Sequence, residues 1–195
     1  MKPLVFATGN PHKIKEVNQI LGDMWSVRSL PEMGITEELP ENQDTLEGNA
    51  LEKARYIHEK LVLDCFSEDT GLEIEALDGA PGVQTARYAG ESKDPDANIH
   101  KVLAGLKGQP NRKARFRTVI ALILDGKEFL FEGIATGRIR EKKSGNGGFG
   151  YDPIFEPEGF SQTFAEMEER TKNGISHRGK AVSLLTAFLA GHAPH

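Results

Sequence analysis

Apolar residues along this chain recur with two different periods, and each change of period marks the border of a strand or a helix. Leu4, Val5, Phe6 and Ala7 form a short apolar run that predicts a buried strand. Thr8-Gly9-Asn10 then turns the chain, with Asn10 placed as an N-cap and Pro11 as the first helical residue. Ile14, Val17 and Leu21 follow at helical spacing. A second strand is predicted over 25–30 and an acidic loop over 31–42. A helix capped by Asp44 or Thr45 should run to about residue 60, with Leu51, Ala54, Ile57 and Leu61 inward. Residues 61–66 read as a buried strand that ends in the corner Ser67-Glu68-Asp69-Thr70-Gly71. Beyond it, 72–77 alternate as a half-exposed strand, 78–90 form a Gly/Pro-punctuated loop, and 97–106 a helix. The nearly unbroken apolar run over 116–124 predicts a central strand, Asp125-Gly126 a hairpin turn, and 128–140 one or two returning strands. The glycine-dense stretch 144–155 reads as a mobile hairpin loop. A short helix is expected over 163–169. Ser176 should cap a last helix that buries Ala181, Leu184, Leu185 and Phe188. Strands alternating with helices are the pattern of an α/β protein, and they leave the strand order open.

Composition narrows the class. A chain of 195 residues suffices for one substantial core, and 1–195 is taken as a single domain. A net charge of −5 argues against a general nucleic-acid binder but allows a small anion held by local cations. The lone cysteine, Cys65, excludes an internal disulfide and suits a reducing compartment. With no secretory signal and no membrane-length apolar stretch, the expected location is the cytoplasm, with no membrane partner. The six histidines show no zinc spacing.

Three features carry chemistry. First, Glu68 and Asp69 sit at the end of a predicted strand, where α/β proteins place ligands. Strand neighbours face opposite ways, so one of the two serves the site; Asp69 is the choice, and its oxygens suit a divalent cation. A solvated turn acid is the plainer reading of the same pair. Second, His12, Lys13 and Lys15 crowd the start of one helix, and His177, Arg178 and Lys180 the start of another. Cations there oppose the helix dipole, and two such mismatches point to one polyanion lying between the helix ends. Third, the glycines of 144–155 offer either an anion nest or a loop that closes over a flat base, with Phe149 against it. The octapeptide 174–181, GISHRGKA, has Walker A spacing, but Ala181 replaces the Ser/Thr and no apolar strand precedes it.

Six segments in order, TGNPHK (8–13), ENQDTLEGNALEKA (41–54), EDTGLEI (68–74), GAPGVQTARYAG (79–90), GGFGYDPIF (147–155) and SHRGKA (176–181), resemble the inosine triphosphate pyrophosphatase family over nearly the whole chain. The resemblance implies a long central mixed sheet flanked by helices, two lobes around a deep cleft, and a homodimer. It implies hydrolysis of inosine, deoxyinosine and xanthosine triphosphates to monophosphate and pyrophosphate with Mg2+. By the same resemblance, the turn Thr8, Gly9, Asn10, Pro11, His12 and Lys13 binds the triphosphate, Glu41 and Asp69 hold magnesium, and Asp69 accepts the proton. Thr70, Phe149, Gly150, Tyr151, Asp152, Lys172, His177 and Arg178 are implied substrate contacts. The corner reads EDTG where many relatives have DDSG, which keeps charge and hydroxyl. The departure at 41–50 leaves Glu47 as an outside candidate for the metal. A non-catalytic nucleotide sensor on the same scaffold is the rival reading.

Overall fold

The protein is described by a computed structural model over residues 3–192. Strands β1 (Pro3–Phe6), β2 (Ser26–Ser29), β3 (Cys65–Ile74), β4 (Lys113–Leu124), β5 (Lys127–Ile139) and β6 (Phe155–Pro157) form a sheet of order β2-β1-β3-β4-β5-β6. β1 runs parallel to both β2 and β3, whereas β5 and β6 are antiparallel, so the sheet is mixed. The two-residue turn between β4 and β5 has both Asp125 (φ 49°) and Gly126 (φ 76°) in the left-handed region, the conformation that a tight hairpin requires. Helices α1 (Pro11–Leu21), α2 (Leu46–Leu61), α3 (Pro95–Gly105), α4 (Glu169–Ile175) and α5 (His177–Ala190) connect or follow these strands. The α/β class and the mixed, helix-flanked sheet are as the sequence led one to expect.

The chain clusters into two compact units, and each carries its own core. The first comprises residues up to Asp69, Thr118–Gly133 and the chain from His177 on. Its strands bury both faces. Leu4, Phe6, Phe66, Ile120 and Leu122 pack with Val17 and Leu21 of α1 and with Ala181, Val182, Leu185 and Leu189 of α5. The alternate residues Val5, Ala7, Cys65, Val119 and Ala121 pack with Ala50, Ala54 and Ile57 of α2. This is strand alternation with a hydrophobic layer on each side. Gly133 is required in this unit, because a Cβ there would lie 2.0 Å from the His177 carbonyl oxygen.

The second unit, Thr70–Arg117 with Ile134–Ser176, covers one sheet face. Leu72, Ile74, Phe116 and Ile139 pack with Ile99 and Val102 of α3 and with Phe155 and Phe164. The other face is polar, lined by Glu73, Arg115, Arg138 and Glu156, and borders a cavity of about 740 Å³.

Several expectations are corrected. The corner at 67–71 does not exist: β3 runs extended through Asp69, Thr70 and Gly71 to Ile74, because Leu72 and Ile74 continue the strand into the second core. Conversely, 61–63 is not strand. Leu61 closes α2 and Val62, with φ 53°, is its left-handed C-cap. The cap of α2 is Thr45, whose side chain accepts from the Gly48 N–H. The half-exposed strand over 72–77 ends at Ile74, and Glu75–Leu77 is a 3-10 turn. In α5 the buried aliphatic positions are Val182 and Leu189 with Ala181 and Leu185, whereas Leu184 is half exposed and Phe188 only partly buried. The glycine-rich stretch is pinned: the Gly147 N–H donates to the Ala165 carbonyl and the Ser144 N–H to that of Pro153. The Thr163 hydroxyl donates to the Ser144 carbonyl.

Candidate active site

In the first unit the turn after β1 is built by its own side chains. Asn10, extended at φ −76°, accepts from the His12 and Lys13 N–H groups through Oδ1, at 3.0 and 3.3 Å. Its own N–H donates to Thr8 Oγ1. With Pro11 lacking an N–H and the Ile14 N–H bonded to the Asn10 carbonyl, the first turn of α1 is satisfied internally. The N–H groups of His12, Lys13 and Ile14 are therefore occupied. What α1 offers an anion is its dipole and the partly exposed ammonium of Lys13.

The dipole mismatch of both helix starts is resolved by one residue, Glu68. It is buried on β3 and pairs with Lys13 Nζ and, through both oxygens, with Arg178 at 3.2 and 3.4 Å. Arg178, also buried, donates to Glu16 Oε2 at 2.6 Å. Burial by itself would raise the Glu68 pKa, but the Arg178 and Lys13 cations outweigh it and hold the carboxyl well below the usual range. The sequence pattern pointed to a bound polyanion; the anion that pairs with both helix starts is the protein's own Glu68 carboxylate. His177 starts α5 and is buried beside Arg178 in sequence.

Asp69, next along β3, is held differently. Its Oδ2 is buried with no hydrogen-bond partner, and its Oδ1 lies 3.6 Å from Lys53 Nζ. Burial raises its pKa, opposed by Lys53 and Lys13. Lys53, which sequence reasoning did not single out, is buried on α2 and donates to Glu41 Oε1 at 2.9 Å and to the Glu68 carbonyl at 2.8 Å. Burial depresses its pKa, but Asp69 and Glu41 more than compensate and keep it a cation. A lysine within the stripe Leu46, Asn49, Ala50, Ala54 and Ile57 was the available signal, since lysine is almost never buried unpaired. Glu41 is brought to Lys53 by the segment before α2: the Asn42 N–H and side chain donate to Glu52, and the Gln43 N–H to Asn49 Oδ1. Glu47 stands in the first turn of α2, where its charge complements the dipole.

No group of three or more His, Cys, Asp or Glu side chains forms a ready-made metal site among the described residues. The bare Asp69 oxygen and the Glu41 carboxylate are nonetheless an all-oxygen pair suited to a hard cation. Mg2+ typically takes only one or two carboxylates and completes its shell with water and substrate phosphate.

In the second unit several of the implied substrate contacts come together around one ion pair. Lys172 Nζ meets Asp152 Oδ2 at 2.7 Å, both residues buried, and lies 5.1 Å from the Phe149 ring centroid. The same Asp152 oxygen accepts from the Phe149 N–H at 3.0 Å. Gly148 must be glycine: it has φ 65°, and a Cβ would lie 2.0 Å from Asp152 Oδ2. Gly150, at φ 59°, faces open space. Tyr151 is buried, and its hydroxyl donates to the Thr85 carbonyl. Thr70 lies half-buried on β3, directly after Asp69. Thr8, Gly9, Asn10, Pro11, His12, Lys13, Glu41, Asp69, His177 and Arg178 thus belong to the first unit, and Thr70, Phe149, Gly150, Tyr151, Asp152 and Lys172 to the second.

Comparison with known proteins adds the following. A model of the Ham1 family matches residues 4–188. A protein from Porphyromonas gingivalis named dITP/XTP pyrophosphatase is 54% identical over 97% of this chain and 98% of its own length. A protein of the same name from Bacillus subtilis is 45% identical over 97% and 98%. The Staphylococcus aureus Ham1 protein superposes with a TM-score of 0.89 at 37% identity, covering 98% of this chain and all of its own.

Proposed function

The chain belongs to the Ham1 family, and from that premise we propose how its residues perform the hydrolysis of deaminated purine nucleoside triphosphates. It is a nucleoside-triphosphate pyrophosphatase, a hydrolase acting on dITP and XTP, and ITP is included in the proposal. The observation that carries the mechanism is the buried, unpartnered Oδ2 of Asp69 among the cations Lys53 and Lys13.

Asp69 accepts the proton of the water that attacks the α-phosphorus. It is the carboxylate whose environment favours taking up a proton, whereas Glu68 is committed to Arg178 and Lys13. Lys13 meets the developing charge of the leaving pyrophosphate, and Lys53 keeps Glu41 and Asp69 from repelling each other and the substrate. Glu41 and Asp69 are the residues that would hold Mg2+, which supplies neutralisation of the triphosphate and electrophilic help at phosphorus when bound. Positioning does most of the work in such transfers, so no covalent intermediate is needed. Phe149 receives the base on its ring face. A backbone N–H of its loop other than those of Ser144, Gly147, Phe149 and Asp152 rewards the carbonyl that hypoxanthine and xanthine carry at position 6, where adenine presents a donor. The working form in this proposal is a cytoplasmic homodimer.

The test is turnover of dITP, XTP, dATP and dGTP with Mg2+, with pyrophosphate and orthophosphate assayed separately. Pyrophosphate release from the first two, abolished by chelation of the metal, is the expected result. Orthophosphate as sole product, or turnover of dATP as fast as of dITP, overturns it. Sedimentation of the same preparation at twice the monomer mass is expected for the dimer.

A further inference from the structure

Thr85 lies in the 3-10 segment Gly82–Arg87, within the stretch that the sequence leaves as a loop. It makes three contacts inside the second unit. Its Oγ1 accepts from the Leu72 N–H of β3 at 2.9 Å and donates to the Gly82 carbonyl at 2.6 Å. Its own carbonyl accepts from the Tyr151 hydroxyl at 2.6 Å. We propose that Thr85 is a positioning residue for base recognition, anchoring the Phe149 loop to β3 through Tyr151. The proposal rests on the reading of Phe149 as the face that receives the base.

The need for an anchor follows from the loop itself. Phe149 is flanked by Gly148 and Gly150, both at positive φ, so the segment has many backbone alternatives unless it is tied. One tie is Asp152, which holds the Phe149 N–H. Tyr151 is the other: the residue is 4% exposed and its hydroxyl is bonded to Thr85, so it acts as a strut. The segment that receives the strut is itself fixed on α3. Asn98 accepts from the Ala89 N–H at 2.7 Å and donates to the Ala86 carbonyl at 3.0 Å, and Lys101 donates to the Tyr88 carbonyl. Removing the Thr85 hydroxyl leaves the Leu72 N–H and the Gly82 carbonyl without that partner, so the segment shifts under the strut. Phe149 then occupies its receiving position for a smaller fraction of the time. Apparent substrate affinity falls by that fraction, while turnover of bound substrate does not.

The experiment compares Thr85→Val, Thr85→Ser and Tyr151→Phe with the unmodified full chain in Mg2+. It reads dITP kinetics, inhibition by inorganic pyrophosphate, melting temperature, and amide hydrogen exchange across 144–152 without substrate. Thr85→Val and Tyr151→Phe should each raise KM about tenfold with kcat changed less than about twofold, and the double variant should be no worse than the worse single. Exchange at 149–151 should quicken, and Thr85→Ser should restore both readouts. Pyrophosphate, which carries no base, should inhibit as before. A lowered melting temperature with unchanged KM would make Thr85 a scaffold residue only and overturn the proposal. So would equal weakening of pyrophosphate inhibition, or unchanged exchange. If the unmodified protein fails to turn over dITP, the substrate reading falls, and the exchange data still decide whether Thr85 anchors the loop.

Discussion

Two buried lysines, Lys53 in the first unit and Lys172 in the second, each face carboxylate oxygen, and the two surroundings are finished to different degrees. Lys172 pairs with Asp152, whose Oδ2 also takes the Phe149 N–H, and the ammonium lies over the rings of Phe149 and Phe164. Charge and hydrogen bonding close on themselves there. Around Lys53 stand Glu41, Asp69 and the Glu68 carbonyl, and one Asp69 oxygen still has no hydrogen-bond partner. A satisfied buried pair holds structure in place. An unsatisfied buried oxygen is rare enough to require a reason, and readiness for a proton or a cation is the reason that its chemistry offers.

The largest effect should separate the two at once. Asp69→Asn keeps the size of the side chain but removes the base, so kcat for dITP should fall by about 10³-fold. Because the lost charge was poorly compensated, the urea midpoint should correspond to a stability change within about 1 kcal/mol or a gain. Retention of more than a tenth of the activity would move the proton acceptor elsewhere. Asp152→Asn should do the reverse in stability. It strands the Lys172 ammonium in a buried site, at a cost of about 3–5 kcal/mol read by urea unfolding. A loss below about 1 kcal/mol would show that the aromatic rings, rather than Asp152, hold that lysine.

Asp69, Asp152 and Lys172 were candidates from the sequence whereas Lys53 was not, and the hidden part has a physical cause. The apolar runs over 4–7 and 116–124 and the helical spacing of Ile14, Val17 and Leu21 reflect side chains that meet their local periodicity, so β1, β4 and α1 were legible. The choice of Asp69 over Glu68 rested on strand alternation together with an assumed turn at Thr70-Gly71. The turn is absent, and alternation says only that the two carboxylates face opposite ways. What separates the two carboxylates is distant in sequence: Arg178 and Glu68 are 110 positions apart, and Arg178 and Glu16 are 162. The same distance hid the strut, since Tyr151 and Thr85 are 66 positions apart. Crowding of cations at two helix starts was read as one polyanion bound between them, whereas the partner the structure shows is the Glu68 carboxylate. Composition could not tell an internal carboxylate from a bound phosphate.

The smallest effect tests how firmly the Lys172 cluster is closed, using two glycines on either side of Phe149. Both have positive φ, 65° at Gly148 and 59° at Gly150, so alanine at either carries the left-handed penalty of about 1 kcal/mol. Only at Gly148 does the new methyl also meet Asp152 Oδ2, at 2.0 Å, where something must move. If Asp152 moves, the Lys172 pair and the Phe149 N–H bond both stretch, and Gly148→Ala should cost roughly 2 kcal/mol more than Gly150→Ala, which meets nothing within 4 Å. Paired thermal melts read the difference directly. Equal costs would mean that Asp152 shifts without loss, and the second lysine site would then be as loosely finished as the first.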